Sequence, residues 1–461
     1  MAKLVHDARM TKAPDNHRLS TGLKAAWGLG SIGTVTVLTV NSLLLLFFMT
    51  TVLGIAPALA GSLLFAAKLI DAVAAPVLGG WSDATNTRWG RRAPFLLAGA
   101  FVCGLGISLV FNPPAALAAS SLPWWILGSL VIIALGYTLF NVPYIAMPAE
   151  MTDMPTERTS IMSWRIAFVS IGGLITGLAP QAVTMFGGGR TGFGLVGYIL
   201  AAVVVAAMLC AFYAARRTRI VTGAPQQTGF KRFGVVFQNK PFMLILLAKV
   251  FQLVGLASLT ASILFLMKNV LQTPESSIGL YVTASTIGTL GAMPIWVRIG
   301  KRFAKRDIFM VACLLWSCLT ASWLLAGAGE PLHLILLRGF VSGIFTGGLL
   351  LMGQSLMPDA IDADCKRSGV RREGVYAGAY SFVEKASMAL GPLLVGLILQ
   401  SFGFQPSLGK DVAQSAEAIR GIYLGAAVMP PILYVISVIP LWFFKLDDEP
   451  AVPQAAPNPA E

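Results

Sequence analysis

The sequence predicts an all-α membrane protein with twelve transmembrane helices in two pseudo-symmetric six-helix bundles. The first observation is composition: of 461 residues, 56% are hydrophobic and 12% are charged, against about 25% charged residues in soluble domains. The second is that apolar stretches recur along the whole chain, each long enough for the roughly 30 Å hydrocarbon core of a bilayer. The third is that positive charges recur in alternate connections between these stretches. A net charge of +13 therefore reflects membrane topology rather than a nucleic-acid-binding face.

Each helix is predicted from one apolar stretch. In chain order the helices start near Lys24, Ala56, Pro94, Trp124, Ile161, Gly194, Pro241, Ser277, Ile308, Leu332, Gly374 and Arg420. The connections after the second, fourth, sixth, eighth and tenth helices are rich in arginine and lysine, including Arg88, Arg91, Arg92, Arg158, Arg216, Arg217, Arg298, Lys301, Arg302, Arg371 and Arg372. Positively charged loops stay in the cytoplasm. We therefore expect both termini to be cytoplasmic.

The longest polar connection divides the chain into halves. We expect a cytoplasmic tail over 1–23, a first bundle over 24–214, a central loop over 215–240, a second bundle over 241–446 and a disordered tail over 447–461. A faint internal repeat supports this division, because the basic run 88–92 follows the second helix and a similar run, 298–302, follows the eighth. Two parallel repeats with a site between them at mid-membrane are the plan of the major facilitator fold.

Asp71 lies inside the second apolar stretch. An ionisable group at membrane depth costs at least about 2.5 kcal/mol, so it persists mostly where it handles a substrate or an ion. The plainer interpretation is a packing bond to a neighbouring helix or to Lys68. The two interpretations are compatible, and Asp71 is our first functional candidate.

Three segments carry a resemblance to a known family: 71–92, with Asp71 and the basic run; 137–165, with Tyr137, Asn141 and Arg165; and 359–385. Together and in this order they resemble the glycoside-pentoside-hexuronide (GPH):cation symporters, the melibiose permease-like family of the major facilitator superfamily. The resemblance covers nearly the whole chain and implies secondary active transport of a small glycoside with a cation.

The resemblance also implies a cation site, which this chain retains only in part. Asp71 and Thr138 occupy two of the family's cation positions, whereas Ala74 and Ala75 replace the other two. A hard cation requires several oxygen ligands, and methyl groups supply none. We therefore favour protons over sodium as the coupling ion, while sodium and the absence of coupling stay open.

The family's sugar positions differ here as well. Thr34 and Val35 stand where the best-studied members have a lysine and an acidic residue, Asn141 takes an acidic position, and Ile145 stands where an aromatic ring could stack on a sugar. The substrate is therefore expected to differ from a galactoside. The alternative is a lysolipid or another amphipathic solute, because a less charged cavity can accept an apolar tail.

The remaining site candidates follow from the same resemblance. Arg165 and Lys385 match cationic family positions, and Tyr380 and Ser381 match substrate positions. Tyr137 offers a hydroxyl and a ring face. Glu384 departs from the family; because burial disfavours a charged carboxylate, it is the alternative to Asp71 as the group that carries a proton. A salt bridge from Glu384 to Arg165 or Lys249 is the structural alternative.

Charged residues in the basic connections resemble cytoplasmic gates of the superfamily. The expected pairs are Asp83 with Arg88, Arg91 and Arg92, and Glu150 or Asp153 with Arg158. Exposed pairs contribute about 0–1 kcal/mol each, which suits a gate that must open. Orientation by positive charge alone explains the arginines but leaves Asp83 unexplained.

These observations predict an inner-membrane transporter that works by alternating access, as a functional monomer in the lipid bilayer. The sequence shows no nucleotide-binding motif, metal-ligand cluster or nucleophile-base arrangement, so we expect no enzyme activity, no cofactor, no bound metal and no nucleic-acid partner.

Overall fold

The computed structural model describes residues 19–85, 87–152, 154–217, 236–237, 239–274, 276–368, 373–408 and 412–444. Within these ranges the regular structure is helical, and twelve helices are long and apolar enough to cross a membrane. This confirms the predicted fold class. The helices are α1 Thr21–Val52, α2 Pro57–Ala84, α3 Ala93–Phe111, α4 Leu122–Met151, α5 Pro155–Gly177 with a continuation Ala179–Met185, α6 Gly189–Arg217, α7 Lys240–Val270, α8 Ser276–Gly300, α9 Lys305–Ala321, α10 Leu332–Ser368, α11 Glu373–Ser401 and α12 Ala416–Trp442.

Most predicted starts lie within one helical turn of the observed ones. The larger differences are at α5, which begins at Pro155 instead of near Ile161, and at α6, which begins at Gly189 instead of near Gly194. Proline suits the first turn of a helix because the amide it lacks would have no intrahelical partner there. The first turn of α5 is polar, with Glu157 in it, so an apolar pattern cannot detect it.

The predicted tails and central loop fall largely outside the described residues. Helix α6 reaches Arg217, and so extends into the segment assigned to the central loop. Within the first half, α3 packs on α4, and α1 packs on α5 and α6. Within the second half, α8 packs on α10, and α7 packs on α11 and α12.

The two halves meet most closely along α2 and α11, which run antiparallel. A Cβ atom at Gly61 would lie 2.7 Å from the carbonyl oxygen of Pro392, and one at Gly396 would lie 2.3 Å from the carbonyl oxygen of Pro57. Such distances leave room only for glycine. Small residues allow helix backbones to approach closely in membranes, so this pair of glycines fixes the contact between the halves.

Polar contacts close the same end of the molecule. Ser407, in the connection after α11, donates from its hydroxyl to the carbonyl oxygen of Thr51 at 2.6 Å and from its amide to that of Thr50 at 3.0 Å. The amide of Ala58 donates to Gln400 Oε1 at 3.1 Å. We call this group of contacts, from residues 50–61 to residues 392–407, the α1–α2/α11 closure.

Helix α2 is less enclosed toward its other end. A Cβ atom at Gly80 would meet no atom within 4 Å, and Val73, Val77 and Trp81 are each more than 60% exposed. The polar contacts described at this end join elements of one half, as in the ion pair between Arg91 and Glu150. The halves are thus tied together at one end and at mid-membrane.

Candidate functional site

Asp71 lies at the centre of a charged cluster between the two halves. Its side chain is fully buried, although it occupies the middle of the apolar helix α2. Thr138 on α4 donates a hydrogen bond to Asp71 Oδ1. Lys385 on α11 places its ammonium group 2.9 Å from the same oxygen. The carboxylate of the first half is therefore bound directly by a cation of the second half.

The second carboxylate oxygen has a different neighbour. Lys68, one turn before Asp71 on α2, places its ammonium nitrogen 3.9 Å from Asp71 Oδ2. This is ion-pair distance but too long for a hydrogen bond, and Oδ2 has no hydrogen-bond partner. The two lysines share the ring of Tyr137, at 5.6 Å for Lys68 and 6.0 Å for Lys385. Asp71, Lys68, Lys385, Thr138 and Tyr137 are called the Asp71 cluster below.

The Asp71 cluster differs from a site for a hard metal cation. Such a cation needs several oxygen ligands, and the cluster contributes the carboxylate of Asp71 and the hydroxyl of Thr138. Ala74 and Ala75 follow Asp71 on α2. Two ammonium groups already lie beside the carboxylate. The arrangement can hold a negative charge in place without an external ion.

The other predicted substrate residues have varied surroundings. Thr34 is buried, and its hydroxyl donates to the carbonyl oxygen of Ser31 at 3.1 Å. Asn141 is half-buried, Tyr380 is buried and Ser381 is exposed. Tyr137 contacts the ammonium groups of the Asp71 cluster rather than standing apart as a sugar-stacking ring.

Among the charged residues predicted for coupling and substrate binding, Arg165 and Glu384 have no described ion-pair partner. Arg165 Nε is buried and has no hydrogen-bond partner. Glu384 is half-buried, and among the described residues no cation lies within ion-pair distance of its carboxylate. The expected salt bridge from Glu384 to Arg165 or Lys249 is thus not formed in this conformation, although Lys249 and Lys385 are its nearest electrostatic neighbours.

Lys249 on α7 is a second buried cation of the C-terminal half. Its side chain donates to Gln252 Oε1 at 2.7 Å and lies 5.1 Å from the ring centre of Phe309. It is 4% exposed, and no carboxylate of the described residues pairs with it. From the sequence, Lys249 is expected only as a partner of Glu384. A lysine inside a predicted span was the signal for a role of its own.

The predicted gate residues come together within the N-terminal half. Glu150, at the end of α4, accepts from Arg91 and from Arg92, whose Nε lies 2.7 Å away. Arg158 donates to the carbonyl oxygen of Thr152 at 3.0 Å, and Arg88 lies over the ring of Trp89. The side chains of Asp83 and Asp153 lie outside the described residues. Glu150 therefore joins α4 to the connection before α3.

One further ion pair at the same end is not predicted by the sequence. Lys24, in the first turn of α1, lies 2.7 Å from Glu157 in the first turn of α5, and both side chains are 10% exposed. Lys24 also donates to Ser160 at 3.3 Å. No pattern in a single sequence pairs residues on two helices so far apart in the chain.

Comparisons with known proteins agree with this architecture. Residues 26–448 match the family described as MFS/sugar transport protein. The inner membrane symporter YicJ of Escherichia coli (strain K12) is 26% identical, over 91% of each chain. The isoprimeverose transporter of Lactiplantibacillus pentosus is 26% identical, over 87% of this chain and 84% of the relative.

The fold also has a solved counterpart. A bacterial homologue of the human drug peptide transporters PepT1 and PepT2 superposes with a TM-score of 0.63 at 14% identity, covering 92% of this chain and 97% of the other. That likeness concerns the fold alone. The sequence match over nearly the whole length places this chain in the MFS/sugar transport protein family, in agreement with its resemblance to the glycoside-pentoside-hexuronide:cation symporters: it is a multi-pass membrane transporter, not an enzyme.

Proposed function

We propose that this protein moves a glycoside across the inner membrane by alternating access, in symport with protons. The observation that carries the proposal is the buried ion pair between Asp71 of α2 and Lys385 of α11. It joins the halves of a sugar-transporter fold at mid-membrane, where a change of access must separate or rearrange them.

The positive-inside pattern places the α1–α2/α11 closure at the outer face. The conformation is then closed to the outside. Opening the outer side separates α2 from α11, which parts Lys385 from Asp71.

The coupling proton is assigned to Glu384 rather than to Asp71. Asp71 is already bound by Lys385 and lies beside Lys68. Glu384 is half-buried, without an ion-pair partner among the described residues, and next to Lys385 in the chain. A carboxylate in such surroundings can take up a proton from one side and release it to the other.

Charge balance favours a substrate with an anionic group. Asp71 offsets one of its two lysines, Arg165 has a buried nitrogen with no hydrogen-bond partner, and Lys249 has a neutral partner. A carboxylate or sulfonate on the sugar would compensate this excess, and the planar guanidinium of Arg165 suits either group. Asn141, Tyr380 and Ser381 remain the candidates for binding hydroxyl groups.

A thermal-unfolding panel tests the substrate class. The purified protein is heated with glycosides, uronides and lysolipids, each with and without sodium, because a ligand at about 100 times its Kd stabilises by roughly 2.7 kcal/mol. The matched pair is methyl glucoside and methyl glucuronide, which differ by one carboxylate. We expect the glucuronide to stabilise more strongly, without a sodium requirement.

The control variant is Arg165→Gln, which removes the charge and keeps hydrogen-bonding capacity. It should erase the preference for the glucuronide while leaving the response to the neutral glycoside. Stabilisation only by lysolipids would replace the glycoside by an amphipathic substrate. Stabilisation only with sodium would overturn the proton assignment.

A further inference from the structure

The two oxygens of Asp71 have cationic neighbours from different halves of the molecule. Lys385, 2.9 Å from Oδ1, belongs to α11 of the second half. Lys68, 3.9 Å from Oδ2, belongs to α2, the helix that carries Asp71 itself. One neighbour therefore moves relative to Asp71 when the halves move, and the other does not.

Lys68 is held on the Asp71 side of the boundary. Residues three apart on a helix lie on the same face, so the separation from Lys68 to Asp71 is set within α2. The ammonium group also lies over the ring of Tyr137 on α4, a helix of the same half. The Lys68 side chain is 20% exposed, which leaves it space to shorten its distance to Asp71.

We propose that Lys68 is a resident counter-ion that keeps Asp71 ionised when Lys385 leaves, so that the outer side opens without a cation binding at Asp71. The inference rests on the alternating-access cycle proposed above. An ionised carboxylate left alone at membrane depth is strongly disfavoured. A carrier without Lys68 must bind a proton or a metal ion there before the halves part.

The neighbourhood of Asp71 supports a built-in cation over an external one. Ala74 and Ala75 provide no oxygen ligands, and Oδ2, the oxygen nearest Lys68, accepts no hydrogen bond. The Lys68 ammonium thus stands on the side of the carboxylate that Lys385 and Thr138 leave unoccupied. This assigns a positioning and charge-compensating role to a residue outside the predicted site.

Several other titratable or charged groups face the same region. They are Cys103 on α3, Tyr137 on α4, Arg165 on α5, and Lys385 and Glu384 on α11. Each of them is able to add a pH dependence of its own. A valid test must therefore separate Asp71 from this background by a double substitution.

The test measures outer opening directly and needs no sugar. Ser407→Cys replaces the hydroxyl that bonds Thr51 across the halves, in a chain whose five cysteines are replaced by serine. The rate at which this cysteine reacts with a membrane-impermeant maleimide is measured between about pH 6 and pH 8. Because maleimide reacts with the thiolate, each rate is divided by the rate of a fully exposed reference cysteine at the same pH. We compare four chains that all carry Ser407→Cys. One has no further substitution, and the others carry Lys68→Met, Lys68→Arg, or both Lys68→Met and Asp71→Asn.

With Lys68 present, the corrected rate should change less than about twofold across this range, and Lys68→Arg should behave alike. Lys68→Met should lose about tenfold in rate per pH unit, the slope of a requirement for one proton. The double variant should again be independent of pH, because its amide needs no proton. If Lys68 only filled space, the additional substitution Asp71→Asn would not restore a pH-independent rate.

Two results would overturn the proposal. A pH-independent rate in Lys68→Met shows that Asp71 needs no counter-ion from Lys68. A tenfold slope that is present with Lys68 and absent from the double variant shows that Asp71 takes up a proton even beside Lys68. A site that stays unreactive in every variant refutes alternating access itself, whereas an incorrect substrate class affects none of these rates. If the cysteine-free chain does not fold, the same opening is measured in the chain that keeps its cysteines. The measurement is amide hydrogen exchange of residues 47–61, corrected for pH with a peptide standard.

Discussion

Asp71 and Glu384 are both acidic residues of transmembrane helices, and their surroundings separate their roles. Asp71 is fully buried and bound by Thr138 and Lys385, whereas Glu384 is half-buried and has no such partners among the described residues. The first resembles a fixed charge in an ion pair that links the halves. The second is the residue that we propose exchanges the coupling proton.

The variants Glu384→Gln and Asp71→Asn should therefore lose different transport activities. Glu384→Gln should keep exchange of labelled for unlabelled substrate across vesicle membranes and lose accumulation driven by a proton gradient. Asp71→Asn should lose both, because it leaves Lys68 and Lys385 without the carboxylate beside them. Both assays use as substrate the ligand that stabilises the protein most in the thermal-unfolding panel. Accumulation by Glu384→Gln at the normal level would remove Glu384 from coupling.

The same ion pair predicts a stability difference. Removing one partner of a buried pair costs about 3–5 kcal/mol, whereas replacing both partners by apolar or neutral groups is often close to neutral. Asp71→Asn should thus lower the thermal stability of the purified protein. Lys385→Met added to Asp71→Asn should recover part of that loss. A double variant less stable than Asp71→Asn would contradict the pairing.

At the residue scale the sequence supplied the candidates but not their partners. Asp71 and Thr138 were predicted on one site and are hydrogen-bonded. Lys385 was predicted as a substrate residue, and the structure places it on Asp71. Lys68 was considered only for packing. A single sequence shows which side chains are costly in a membrane, but the partner of each depends on helix rotation and on contacts between distant segments.

At the element scale the α2–α11 contact depends on glycine. The Cβ positions of Gly61 and Gly396 would fall on backbone carbonyl oxygens of the opposite half. Neither glycine has a positive φ angle, so close approach and not backbone conformation is the reason that glycine is required.

Gly61→Ala should weaken the α1–α2/α11 closure, and Gly80→Ala is its matched control on the same helix. Alanine at Gly80 meets no atom within 4 Å and should gain up to about 1 kcal/mol from helix propensity. Alanine at Gly61 clashes with Pro392. We expect lower thermal stability and faster labelling of Ser407→Cys for Gly61→Ala only. Equal behaviour of the two variants would disprove a tight contact at Gly61.

The helices themselves were largely predictable, because a stretch of about 20 apolar residues has few alternatives in a membrane. Their ends were less so. The first turn of α5 is helical and polar, and Lys24 and Glu157 pair there. Hydropathy reports where a helix is apolar, not how far it continues into the polar boundary.

At the scale of the whole molecule, the charge pattern predicts the orientation. Arginines and lysines cluster in the connections after the even-numbered helices, so these connections and both termini should be cytoplasmic. Alkaline phosphatase, which is active only outside the cytoplasm, should be inactive when fused after residue 461 and active when fused in the connection near Gly187. The reverse pattern of activity would place the α1–α2/α11 closure at the cytoplasmic face instead of the outer face.

The division into two halves was predicted from the matched basic runs and the long central connection. The conformation could not have been predicted, because a transporter sequence encodes several states of similar free energy. Which end is closed is a property of one state, and it depends on contacts such as Ser407 with Thr51.

The charges inside the spans have a further consequence, for membrane voltage. In the region around the Asp71 cluster, Lys68, Lys249, Lys385 and Arg165 stand against Asp71 and Glu384, so these six described residues carry a formal excess of two positive charges. Each charge that crosses the field changes the free energy by about 2.3 kcal/mol per 100 mV. A membrane that is negative inside would therefore draw the unloaded carrier toward its inward-facing state, and an anionic substrate would reduce that pull.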